Sequence, residues 1–212
     1  MPSSLTTIAL RAATVVLAGA LSVACTSTPA AAPAPAAPTA APVAEAPTCD
    51  GQGVDPAAKI RYRTERVIAA SPAAIWAAQT DFASWPQWQQ AVLTNERLDA
   101  GPLRPGSQFR WTSPVPATPL SPATTLQITS TVQQVEPQQC IRWTGPAEGP
   151  GLRIDQGVHV WTFTEVPGGT RVVTEETHSG TQIEQDVPLA THFLGLGLEA
   201  WLDNLKTRAE GS

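Results

Sequence analysis

Hydrophobic and polar residues alternate with period two in several short runs, and one long stripe with helical spacing follows them. In Thr64-Glu-Arg-Val-Ile-Ala69, Glu65, Val67 and Ala69 fall on one face and Arg66 and Ile68 on the other, which predicts a strand. Ser71 then stands where an N-cap belongs and Pro72 at the first helical position, where its missing N–H costs nothing. Ala73 to Ala78 continue as a short helix, and Asp81-Phe-Ala-Ser-Trp-Pro-Gln-Trp88 reads as a Trp-Pro-x-Trp bend. Further strands are predicted at Val92–Leu98, Gln108–Trp111, Thr125–Val135, Cys140–Gly145, His159–Phe163 and Arg171–Glu176, with a Pro167-Gly-Gly-Thr170 hairpin joining the last two. Two Pro- and Gly-rich stretches, Ser113–Ala123 and Gly145–Gly151, read as loops outside any ladder, because prolines remove donors.

A final helix is predicted from Pro188 to Ala209, capped by Asp186. Leu194, Leu198, Trp201 and Leu205 recur at i, i+4, i+7 and i+11, and this stripe should pack on the concave face of the sheet. Leu189, His192, Phe193 and Leu196 broaden it near the N-terminal end. Gly195 and Gly197 each cost the helix roughly 1 kcal/mol relative to Ala. They suit either a ligand lying close to the backbone or tight helix–sheet packing.

The first 58 residues follow other rules. Ala12 to Ala24 is uninterrupted apolar or small and preceded by Arg11, and it is too short to span a bilayer as a mature helix; it matches a signal-peptide core. Cys25 follows, and Leu21-Ser-Val-Ala-Cys25 looks like a bacterial lipoprotein lipobox, with Ser22 where that motif usually has Leu. Ordinary signal cleavage after Ala24 is the competing reading. Thr26 to Thr48 is almost entirely Ala and Pro, a composition that favours extended polyproline II, and such a tether reaches roughly 70 Å. The expected organisation is a signal peptide over 1–24, a lipidated Cys25 with a disordered tether over 25–58, and a folded domain over 59–212.

From about Lys59 onward, the order of elements resembles the SRPBCC superfamily, the START-like group that includes polyketide cyclases/dehydrases and lipid-transfer proteins. The resemblance rests on the strand, short helix and Trp-Pro bend at Thr64–Trp88 and on the strand, hairpin and helix order that follows. It implies an α+β helix-grip fold: a curved antiparallel sheet of about seven strands wrapped round a long C-terminal helix, with two short helices after the first strand. It also implies a cavity for an apolar ligand, opening between the two Pro/Gly-rich loops and the long helix.

Charge and cysteine content sharpen the picture. The chain carries a formal net charge of −5, or −6 once Arg11 leaves with the leader, the wrong sign for a nucleic-acid binder. Seven Trp suit both a core and a ligand cavity. With Cys25 lipidated, Cys49 and Cys140 remain as a pair that an oxidising compartment would join, although Cys140 also suits a small buried thiol. No Cys-x-x-Cys or His-x-x-x-His spacing points to a metal, and nothing calls for a cofactor.

Candidate chemistry lies on the last two strands. His159, Trp161 and Phe163 share one face; on the next strand Val172, Thr174, Glu176 and His178 share a face, opposite Arg171, Val173, Glu175 and Thr177. If Val172 faces inward, Glu176 and His178 project into the cavity near His159. These three are candidates for acid/base catalysis, against the plainer reading of a mutually satisfied Glu–His contact. A register slip of one residue would send Glu175 inward instead. The expected cavity residues are Trp111, Trp143, His159, Trp161, Phe163, Phe193, Leu196 and Gly197. The leading function is an exported, membrane-anchored protein on the periplasmic or cell-surface side, binding a small apolar molecule. An enzyme of the cyclase/dehydrase type and a non-enzymatic envelope interaction module are the alternatives. Oligomeric state is not legible in the sequence.

Overall fold

The structure, a computed structural model, describes residues 46–211. The expectations for the leader, for Cys25 and for most of the tether fall outside those residues. Seven strands form one antiparallel sheet: β1 (Ile60–Ile68), β2 (Thr94–Arg97), β3 (Gln108–Val115), β4 (Thr124–Glu136), β5 (Cys140–Gly149), β6 (Leu152–Val166) and β7 (Gly169–Ser179). Their spatial order is β1-β7-β6-β5-β4-β3-β2, so sequential hairpins build most of the sheet and β7 returns to pair with β1. The sheet curves around the long helix α3 (Val187–Glu210), while α1 (Pro72–Thr80) and α2 (Trp85–Trp88) follow β1. This is the helix-grip arrangement.

Local chemistry sets the element ends. Ser71 caps α1 by accepting a hydrogen bond from Ala74 N at 3.2 Å, with Pro72 in the first turn. Asp186 caps α3 in the same way, its Oδ1 accepting from Leu189 N at 3.0 Å. The β6–β7 hairpin needs glycine: Gly168 and Gly169 have φ of +91° and +144°. A Cβ on Gly169 would also sit 2.0 Å from the Ile68 carbonyl oxygen.

The two stretches read as loops join the ladder in part: 116–123 stays outside the strands, while 113–115 and 145–149 belong to β3 and β5. Ser113, Pro114 and Val115 pair with Leu126, Thr125 and Thr124 of β4. Pro114 is tolerated because β2 ends opposite Thr112, so no strand on that side needs its missing donor. Likewise β5 runs on to Gly149, and the irregularity sits between Gly145 and Ala147, where Pro146 interrupts the pairing with β6.

Two apolar clusters fill the space between sheet and helices. Trp85 is the hub of the larger one: its ring meets Trp201 edge-on at 4.8 Å and Phe109 at 5.7 Å, and its Nε1 donates to Gln79 O at 3.1 Å. Leu202 and Leu205 of α3 complete this cluster, with Val172, Phe163 and Trp161 of the sheet. The smaller cluster joins Ile60, Leu126, Ile154, Leu194 and Leu198. The helical stripe therefore faces the concave sheet, as its spacing requires.

The folded part begins earlier than Lys59. Cys49 and Cys140 form a disulfide across a sequence separation of 91, and Cys49 is fully buried. Val54 packs on Val158 and Val160, Arg142 Nε donates to Gly53 O at 2.8 Å, and Asp55 N donates to Thr177 Oγ1 at 3.3 Å. Residues 49–55 thus cross the sheet face opposite α3, where the sequence leads one to expect a tether running to residue 58. Composition marked this stretch poorly because few of its side chains are apolar; a disulfide, backbone groups and the single Val54 side chain hold it.

Candidate functional site

A cavity of about 460 Å³ lies between the sheet and the N-terminal half of α3. Trp111, Leu126, Ile154, Leu194, Leu198 and Trp201 make much of its wall, from β3, β4, β6 and α3. Leu126 and Ile128 alternate along β4 on the cavity side, and Ile128 pairs directly with Trp111. That period-two apolar pattern was the signal in the sequence for these two lining residues, which the expected cavity set omits.

The structure divides the expected cavity residues into two groups. Trp111, His159, Phe193, Leu196 and Gly197 line the cavity. Trp143, Trp161 and Phe163 do not: they belong to the buried core. Trp161 is 0% exposed. Period two places these rings on the concave face correctly, but side chains along one face differ in what covers them. The α1–α2 segment and the second half of α3 fill the space over Phe163 and Trp161, and Trp76 meets Phe163 edge-on at 5.9 Å. The cavity lies at the other end.

Two glycines that looked alike in the helix do different things. A Cβ on Gly195 would meet the Tyr62 ring at 2.7 Å, so this position lets β1 and α3 pack closely. Gly197 has nothing within 4 Å of such a Cβ, and it lines the cavity beside Leu196, which is 53% exposed. Close packing explains the first, and open space at the cavity the second.

The polar end of the cavity is built from facing positions on β6 and β7. His159 is the direct cross-strand partner of Glu176, so the register is the one that turns Glu176 inward. Glu175 takes the opposite face and is ion-paired with Arg61. Glu176 Oε2 lies 3.3 Å from His159 Nδ1, and Glu176 Oε1 lies 3.2 Å from His178 Nε2. His159 Nε2 lies 2.7 Å from Thr174 Oγ1. The neutral tautomer with hydrogen on Nδ1 satisfies both contacts: Nδ1–H donates to the carboxylate, and Nε2 accepts from the threonine hydroxyl.

Burial decides the protonation states. His159 is 3% exposed, with the Trp143 and Trp161 rings 4.9 and 5.0 Å from its own. This desolvation pushes its pKa down to about 4, against the opposing pull of Glu176, so the ring is neutral near pH 7. Burial works against the Glu176 carboxylate too. The facing imidazoles of His159 and His178 outweigh it and hold Glu176 below the usual carboxylate value. We take the pair as an ionised glutamate beside a neutral His159, because the hydrogen-bond pattern fits those states and burial opposes a second charge.

A carboxylate, an imidazole and a hydroxyl in series resemble the layout of a nucleophilic triad. Thr174 is fully buried and is not among the cavity-lining residues, so its oxygen meets no ligand. Both ring nitrogens of His159 are engaged. The arrangement orients Glu176 toward the cavity, and the acid/base capacity that remains there belongs to Glu176 and His178. Among the described residues, no group of three or more His, Cys, Asp or Glu is arranged to hold a metal ion.

A curved sheet gripping a helix over an apolar cavity defines a class of ligand-binding folds. The family model described as polyketide cyclase/dehydrase and lipid transport matches residues 59–210, and the chain belongs to that family. Among solved structures, a START superfamily protein from Mycobacterium smegmatis is 16% identical, with a TM-score of 0.58, covering 71% of this chain and 97% of that one. A protein from Thermus thermophilus is 20% identical, with a TM-score of 0.56 and coverage of 70% and 96%. A protein from Rhizobium leguminosarum is 23% identical, with a TM-score of 0.51 and coverage of 72% and 95%. At these identities the likeness is one of fold. No curated protein matches the sequence.

Proposed function

We propose that this protein is an exported, membrane-anchored carrier or receptor for a small apolar ligand, held in the cavity between α3 and the sheet. The observation that carries the reading is the cavity itself: about 460 Å³, walled mainly by aliphatic and aromatic side chains, with its ionisable groups gathered at Glu176, His159 and His178. Burial of apolar area, at roughly 25 cal/mol per Å², supplies the affinity, and the polar end orients the ligand. The family is known for binding small hydrophobic ligands.

Export is supported by the Cys49–Cys140 disulfide, which belongs to oxidising compartments. Anchoring rests on the apolar run Ala12–Ala24 ending at Cys25. Among the described residues, no helix is long and apolar enough to cross a membrane.

The test has two arms. Native mass spectrometry of protein isolated from cells should show a co-purified apolar mass, and a ligand-free cavity that takes up no apolar probe would end the carrier reading. Cys25→Ala should move the protein out of the membrane fraction; unchanged partitioning would remove the lipid anchor and leave the carrier intact. A second reading, a cyclase/dehydrase-type enzyme, is favoured only by the exposure of Glu176 and His178 to the cavity. Loss of a defined conversion in Glu176→Gln with binding retained would establish it.

A further inference from the structure

Resting on the apolar-ligand reading, we infer that the ligand carries a hydroxyl group, alcoholic or phenolic, which enters first and donates a hydrogen bond to Glu176. An apolar cavity that only dissolved hydrocarbon would have no use for a carboxylate. Here one stands at its end, with 18% of the Glu176 side chain still exposed although the residue is packed into the sheet. Each of its oxygens takes one imidazole contact, Oε2 from His159 and Oε1 from His178. A carboxylate oxygen accepts more than one hydrogen bond, so both retain capacity.

The backbone leaves room at that spot. Gly145 and Gly157 are direct partners across β5 and β6, and both line the cavity. A Cβ on Gly157 would lie 3.3 Å from the Gly145 carbonyl oxygen and 3.6 Å from both Glu176 Oε1 and His178 Cδ2. The missing side chain therefore leaves a recess of about methyl or hydroxyl size directly beside the acceptor.

Charge selects the group that fills it. An ionised carboxylate is acceptor-only, so an ether or ester oxygen placed there would meet lone pairs with lone pairs. A ligand carboxylate would add a second negative charge in a site of low dielectric, where like-charge repulsion is strong. An ammonium would match the charge but must give up its water to enter a cavity whose exposed lining residues include Leu120 and Leu196, and desolvating an ion is strongly unfavourable. A neutral hydroxyl costs far less to desolvate than an ion, and the hydrogen bond it donates to the carboxylate offsets that cost.

The experiment titrates the full-length protein at pH 7 with decanol, decyl methyl ether, decanoic acid and decylamine, read by quenching of tryptophan fluorescence. Decanol should bind about tenfold more tightly than each of the others, the effect of one hydrogen bond to a charged group. In Glu176→Gln the decanoate disadvantage should shrink to within about threefold by the same arithmetic. Gly157→Ala fills the recess without changing charge and should abolish the preference of decanol over the ether. Equal binding of all four compounds, or tighter binding of the acid or amine, overturns the hydroxyl assignment while leaving the apolar carrier standing. Binding of none overturns both.

Discussion

Glu176 and His159 face each other across the β6–β7 ladder, with Oε2 3.3 Å from Nδ1, and the imidazole is the more deeply buried of the two. The strand pairing puts a titratable contact in the wall of an apolar cavity, and stability should depend on pH through it. The unfolded chain protonates His159 below about 6.5, while the folded chain resists until about 4. Stability is therefore complete above 6.5 and falls between 6.5 and 4, by up to roughly 3 kcal/mol. Glu176 acts in the same direction at lower pH: its folded value is depressed, so its contribution is present above the ordinary carboxylate range and lost as pH drops through the folded value. Urea unfolding at pH 7, 5.5 and 4.5 measures the decline, and His159→Gln should flatten the portion above pH 4.5. An unchanged slope in that variant would mean that other groups cause it.

Trp111 and Trp161 should respond differently to truncation. Trp111 lines the cavity, so Trp111→Ala should weaken binding of an apolar probe several-fold. Trp161 is sealed in the core, and Trp161→Ala should cost about 3–5 kcal/mol of stability. Binding isotherms and thermal melts on both variants separate the two. A stability loss of only a few tenths of a kcal/mol in Trp161→Ala would contradict the burial described above.

Gly197→Ala offers a trade between stability and access. No atom lies within 4 Å of the added methyl, so the helix should gain about 1 kcal/mol in propensity. Gly197 also lines the cavity, so the added bulk should lower ligand affinity. Gly195→Ala, by contrast, drives a methyl into the Tyr62 ring and should destabilise. Opposite shifts in melting temperature for the two variants are the expected result.

Loss of the disulfide should cost about 4–5 kcal/mol on the loop-entropy model for a separation of this length. The double variant Cys49→Ser with Cys140→Ser, followed by urea unfolding, measures it. Hydrogen exchange should accelerate at residues 49–55 first, because their remaining ties to the sheet are few backbone bonds and the Val54 contact. A uniform change along the chain would instead point to a global effect.

Much of the architecture was legible in the order of residues. Ser71-Pro72 and Asp186 state where helices start, Gly168-Gly169 states where the chain reverses, and the Leu194, Leu198, Trp201, Leu205 spacing states which face of α3 is buried. These are local rules, satisfied by neighbours within a turn or a hairpin, and sequence alone decides them. Alternation likewise grouped the residues of β6 and β7 by face but left open whether Glu176 or Glu175 turns inward, and the pairing register of His159 with Glu176 decided it.

What covers each face was decided by the tertiary structure. Trp143, Trp161 and His159 share the concave side, yet only His159 reaches the cavity, because Trp85 and Trp201 fill the space over the indoles. Pro114 lies in a strand because β2 happens to stop beside it. Gly195 and Gly197 are identical in the sequence and differ only in whether Tyr62 stands opposite. Residues 49–55 are ordered because Cys140, 91 positions away in the chain, holds Cys49. Each of these depends on which distant residue occupies a given volume, and periodicity along a chain carries no information about volume.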